Sequence, residues 1–135
     1  MPQLYARQFY PDGEQEYGFA RKADVVVCAL GTNDAPNAAF TAALTEFAET
    51  VREKNDGCKI VFVYGMMTDR CGYNLDRVVE NLSGAEEGVY ALRLATGTDG
   101  CLGSPKSTVG HPSAANHAGN AEILSDFLSG LPAAD

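Results

Sequence analysis

Two residues able to do chemistry stand at opposite ends of the apolar part of this chain. Asn33 lies in "ALGTNDA" (29–35), directly after a run of strand formers, "DVVVC". An amide placed there can shape a turn, or it can aim an N–H at an oxygen that becomes negative in a transition state. His111 opens "HPSAANH" (111–117), which holds both histidines of the chain. An imidazole held between a proline and the start of a helix has a restricted direction. A general base needs that geometry before its pKa matters. An isolated asparagine or histidine in such positions is also an ordinary turn or loop residue, so both readings stand on the residues alone. His117 reads as a packing or capping residue of the last helix.

An amide donor and an imidazole base suit acyl transfer, which then needs a nucleophile. The serines are Ser83, Ser104, Ser107, Ser113, Ser125 and Ser129. None follows a strand in a tight strand-to-helix turn, and no G-x-S-x-G elbow occurs. Ser104 and Ser107 lie in the loop leading to His111. The cysteines, Cys28, Cys58, Cys71 and Cys101, are widely spaced and form no C-x-x-C. A zinc knuckle or redox motif is therefore not expected. Cys28 reads as a small buried hydrophobe. Cys71 and Cys101 fall in loop-like stretches where a disulfide could form, although reduced thiols are the default inside a cell.

The elements that must position these groups are legible as periodicities. "ADVVVCALG" (23–31), "KIVFVYG" (59–65) and "GVYALRLA" (88–95) are apolar runs of strand length, suited to burial on both faces. Between the first two, Phe40, Ala43, Leu44, Phe47 and Val51 make one helical stripe. A shorter helix carries Leu75, Val78, Val79 and Leu82 and stops near Gly84. The last helix has Ser113 as N-cap, Ile123, Leu124, Phe127 and Leu128 as its stripe, and Gly130 at its end. Strands alternating with helices predict a parallel sheet with right-handed crossovers. Ligands of such sheets sit at the carboxyl ends of the strands. Asn33 follows the first strand and His111 follows the third, so topology brings them to one rim.

Composition bounds the partners. The 135 residues are 45% hydrophobic and 21% charged, as in an ordinary globular domain. A net charge of −8 argues against nucleic acid and against anionic membrane surfaces. No apolar run is long enough to span a bilayer. The opening "MPQLYARQFYPDGEQ" lacks the pattern of a signal peptide, so a cytoplasmic location is the default expectation. Residues 1–22 read as an extended arm, and residues 23–135 as one α/β domain.

"VVVCALGTND" and "GHPSAANHAGNAEIL", taken together, resemble the SGNH (GDSL-type) hydrolase superfamily. The nearest likeness is to carbohydrate esterases that remove acetyl groups from sugars. "GTND" looks like the block whose Asn lines the oxyanion hole, which implies that role for Asn33. Gly31, Thr32 and Asp34 of the same block are expected to line the substrate. "HPS" looks like the block whose His is the catalytic base, which implies that role for His111. His117 matches a second His with a supporting role. The segment "LYARQFY…YGFARKADVVV" looks like the stretch preceding the Asn block. The resemblance implies a flavodoxin-like three-layer sandwich, with about three of the usual five strands in this chain. It implies no metal or organic cofactor.

The chain departs from that pattern in three places. The G-D-S block with the nucleophilic Ser is absent, as is the block with a Gly oxyanion donor. Thr108 stands where an acid usually orients the base, which leaves Asp99 as a candidate orienter. The expectation is an ester hydrolase fold without its nucleophile segment, weakly active or inactive as this chain alone. If active, its substrate is a small-molecule or carbohydrate ester. The alternatives are a degenerate hydrolase fold used for binding or assembly, and a different α/β domain in which Asn33 and His111 are structural. In the family a further strand covers the near edge of strand 23–31. Here a second copy of the chain, the N-terminal arm or a separate partner is expected to cover it, a two-fold homodimer being the commonest solution.

Overall fold

The computed structural model describes residues 4–7, 16–97 and 111–133. Three parallel strands, β1 (Val25–Cys28), β2 (Lys59–Tyr64) and β3 (Val89–Arg93), pair in the order β1-β2-β3. Three helices, α1 (Ala38–Lys54), α2 (Gly72–Asn81) and α3 (Ala114–Ser129), alternate with them, and a 3-10 turn spans Gly84–Glu87. The α/β architecture expected from the alternating pattern is the one observed. Among the described residues no helix is long and apolar enough to cross a membrane.

The period-2 alternation of β2 divides the core into two layers. Ile60 and Phe62 face α1 and α2, where they pack with Leu44, Val51, Leu75 and Val78. Val61 and Val63 face the other way, against Leu124, Phe127 and Leu128 of α3. Phe62, Leu44, Ile60 and Leu75 are fully buried. Each such side chain contributes about 1.5–3 kcal/mol relative to exposure. The helices start where side-chain caps meet their first free N–H groups. Asn37 Oδ1 accepts from Phe40 N at 2.9 Å, and Ser113 Oγ accepts from Asn116 N at 3.3 Å. Arg52 and Lys54 in the last turn of α1 complement its negative end.

Two expectations need correction. The first strand is not buried on both faces: Val25 and Val27 are 36% and 40% exposed. Both lie on the α3 side of the sheet, but α3 packs over β2 and β3, so β1 keeps that face open. Ile123 also leaves the expected α3 stripe and is 38% exposed. The apolar run of β1 fixed its strand character, yet such a run does not say which neighbours are present.

The described part of the N-terminal segment packs onto the domain. The Tyr5 ring lies 5.3 Å from Phe47, edge-on, and 5.4 Å from Phe19. Buried Asn55 at the end of α1 ties it down: Nδ2 donates to Tyr5 OH at 2.8 Å, and Oδ1 accepts from Ala23 N at 3.0 Å. Leu4 and Tyr5 thereby stand beside β1 on its α1 face.

Candidate active site

A cavity of about 230 Å³ opens at the carboxyl ends of the three strands. Its first wall is the turn after β1, residues 29–32. Gly31 has φ +106°, a conformation that side chains avoid. A Cβ there would also stand 3.1 Å from both Cys71 Cβ and Phe40 Cζ. Glycine thus lets this turn lie against the start of α2.

The second wall is the end of β2 and the loop behind it, residues 63–68. Gly65 has φ +104°, and a Cβ would collide with the Leu94 carbonyl oxygen. The close approach lets the chain after β3 lace onto this loop. Leu94 N donates to Tyr64 O at 2.7 Å, Thr96 Oγ1 to Gly65 O at 2.7 Å, and Gly97 N to Met66 O at 3.2 Å. Burial pushes the Tyr64 phenol above its ordinary pKa, and nearby Asp76 adds to the effect. The ring therefore remains a neutral hydroxyl at physiological pH.

The third wall comes from the entry to α3: His111, Pro112 and, one turn in, His117. Pro112 is buried while both histidines are exposed, so the proline anchors the segment and the imidazoles face solvent and cavity. The clamp behind them is Asn120, only 4% exposed. Its Oδ1 accepts from Ala95 N at 2.8 Å and its Nδ2 donates to Ala95 O at 3.0 Å. This imitates a strand pairing and fixes α3 to the chain leaving β3.

Of the site residues singled out in the sequence, Gly31, Thr32, His111 and His117 line the cavity. Asn33 is exposed and follows Thr32 directly, outside the lining. Asp34 borders a neighbouring groove, and its carbonyl accepts from Cys71 Sγ at 3.6 Å. Asp99, Cys101, Ser104, Ser107 and Thr108 lie outside the described residues, as does any Cys71–Cys101 pairing. Among the described residues no serine lines the cavity; its hydroxyls are those of Thr32, Tyr64 and Thr68. No group of three His, Cys, Asp or Glu side chains there could hold a metal ion, again among the described residues.

Sequence reasoning missed that Tyr64, Met66 and Met67 line the cavity, and it read Cys71, which also lines it, only as a loop thiol. It also missed Asn120. The one available signal was Asn116 and Asn120, four residues apart and so on one helix face.

No protein-family model matches the chain, and no curated protein matches it in sequence. Solved structures do match. A carbohydrate esterase family 2 enzyme with a carbohydrate-binding domain from Corynascus thermopiles (Myceliophthora fergusii) is 26% identical, with a TM-score of 0.74. The match covers 96% of this chain and 44% of that one. A family two carbohydrate esterase from Cellvibrio japonicus is 20% identical, with a TM-score of 0.78 over 96% of this chain and 40% of the other. An acetyl xylan esterase from the rumen bacterium Butyrivibrio proteoclasticus is 20% identical, with a TM-score of 0.68 over 95% and 44%. The chain spans less than half the length of each. Over that span its fold is the one seen in these carbohydrate esterases.

Proposed function

We propose that this chain carries the base and oxyanion-donor part of a carbohydrate esterase site of the acetyl-removing kind. The observation that supports it best is the shared rim. His111 and the Gly31–Thr32 turn line one cavity at the strand ends, on a fold shared with carbohydrate esterases. In this reading a serine hydroxyl attacks the acetyl carbonyl. His111 takes the hydroxyl proton and later returns it to the leaving sugar alcohol. The Asn33 amide donates to the oxyanion, a contact typically worth roughly 3–4 kcal/mol. The attacking serine is not among the described residues at the cavity, so this chain alone is expected to turn over little ester.

The test compares hydrolysis of p-nitrophenyl acetate by the chain, His111→Ala and Asn33→Ala. A slow rate that drops at least about tenfold in both variants supports the reading. Equal rates in all three overturn it. The absence of a serine from the described cavity lining favours a second reading, a hydrolase fold that binds without reacting. Acetylated xylo-oligosaccharide that shifts the His111 imidazole signals without being cleaved would select that one.

A further inference from the structure

Near the cavity, a groove of about 590 Å³ runs between the N-terminal half of α1 and the length of α2. Its composition is unlike that of the chain. The protein has 18 acidic residues against 10 basic ones, yet no Asp or Glu lines this groove. One wall is formed by Arg70, just before α2, and by Tyr73, Arg77 and Asn81, four residues apart and so stacked along one side of α2. The facing wall is low, made of Ala38, Thr41 and Ala42. The floor is rigid. Buried Asn74 donates through Nδ2 to Asn37 O at 3.1 Å and to Thr41 Oγ1 at 2.9 Å, joining the two helices.

Two of the groups above that floor, Tyr73 and Arg70, are unspent. Tyr73 is 74% exposed and its ring meets no other aromatic among the described residues. The Arg70 guanidinium has no hydrogen-bond or ion-pair partner there. Arg77 holds Glu80 through Nη1 at 2.7 Å and keeps its remaining donors. An open aromatic face accepts the C–H face of a pyranose, and a guanidinium takes a carboxylate through two parallel hydrogen bonds. The volume lies within the range of small-ligand clefts. Arg70, which lines the groove, adjoins in sequence Cys71, which lines the cavity.

We propose that this groove binds a carboxylate-bearing saccharide, a uronic acid unit of a glycan chain, with its ring on Tyr73 and its carboxylate on Arg70 and Arg77. The link to catalysis, in which the same glycan presents its ester to the cavity, rests on the esterase reading; the binding itself does not.

Calorimetric titration of the chain with trigalacturonate and with xylotriose tests this. Trigalacturonate is expected to bind at least about tenfold more tightly than xylotriose. Its affinity should fall about tenfold in Arg70→Ala and Tyr73→Ala, and fall with added salt. It should be unchanged in His111→Ala, which lies outside the groove. Equal affinity for the neutral trisaccharide, no binding of either, or wild-type affinity in both groove variants overturns the proposal. Loss confined to His111→Ala moves the ligand into the cavity, which refutes the groove and leaves the esterase reading standing. Groove binding alongside equal p-nitrophenyl acetate rates in the chain and His111→Ala refutes the esterase reading and leaves the groove.

Discussion

Cys28 shows how a single buried atom couples this fold to pH. Burial, with Cys58 nearby, pushes its thiol from an ordinary value of 9.0 up to about 11. Between those values the unfolded chain releases the proton while the folded one keeps it. The unfolded state thus binds fewer protons, and stability falls as pH rises. At pH 10 the loss from this group is one pKa unit's worth, about 1.4 kcal/mol, and near pH 8 it is negligible. Cys58, Tyr5 and Tyr64 are shifted upward as well, chiefly by burial, so they add to the same alkaline limb. Urea unfolding at pH 8, 9 and 10 should show the decline, and Cys28→Ala should flatten it. Equal slopes in both proteins would show that the thiol is not the source. Cys28 was legible as a buried hydrophobe because it sits in an apolar run. His111 was legible as a residue of the strand-end rim because it follows the third strand, and it lines the cavity, whereas Asn33 lies outside the lining. The cavity positions of Cys71, Tyr64, Met66 and Met67 were not legible, because all four come from the stretch 64–71 and only the packing of the other two walls against it makes a cavity.

Helix α3 is held differently from α1 and α2. Its apolar contacts with the sheet come late, from Leu124 onward, whereas the half that carries His117 is polar and largely exposed. What holds that half is Asn120 on the Ala95 backbone, together with the close approach of Gly97 to Asn116, where a Cβ would collide with the Asn116 side chain. Asn120→Ala removes both side-chain hydrogen bonds to the Ala95 backbone and is expected to cost about 1–3 kcal/mol, at about 0.5–1.5 kcal/mol for each bond. The effect should be local as well as global. Amide hydrogen exchange across 114–120 should speed up more than exchange in the Leu124–Leu128 turns. Uniform acceleration along the helix would mean that apolar packing holds both halves. The strands and helices themselves were readable from periodicity, and the Ser113 cap from residue type. The 3-10 turn at Gly84–Glu87 was not. It opens on two successive residues of positive φ, Ser83 just before it and Gly84 at its start, a backbone choice that no hydrophobic pattern encodes.

For the molecule as a whole, the open question of packing lies at β1. It is an edge strand with Val25 and Val27 exposed on one face, and Leu4 and Tyr5 flank it on the other. Among the described residues the arm covers only the α1 face of that edge, and an apolar strand edge recruits a partner. A second copy is the partner always present: antiparallel pairing of two β1 edges would join the sheets about a two-fold axis and bury both valine pairs. Each copy carries a charge of −8, so mutual repulsion opposes this and salt relieves it. Sedimentation velocity is expected to show the mass of two chains at tens of micromolar, with a larger dimer fraction at high salt. Val27→Lys places a charge on the bare face and should return the chain to one copy without unfolding it, since the side chain points to solvent there. A wild-type chain that remains a monomer at every salt concentration would leave the edge to some other partner. A Val27→Lys chain that dimerises undiminished would place the contact elsewhere on the surface.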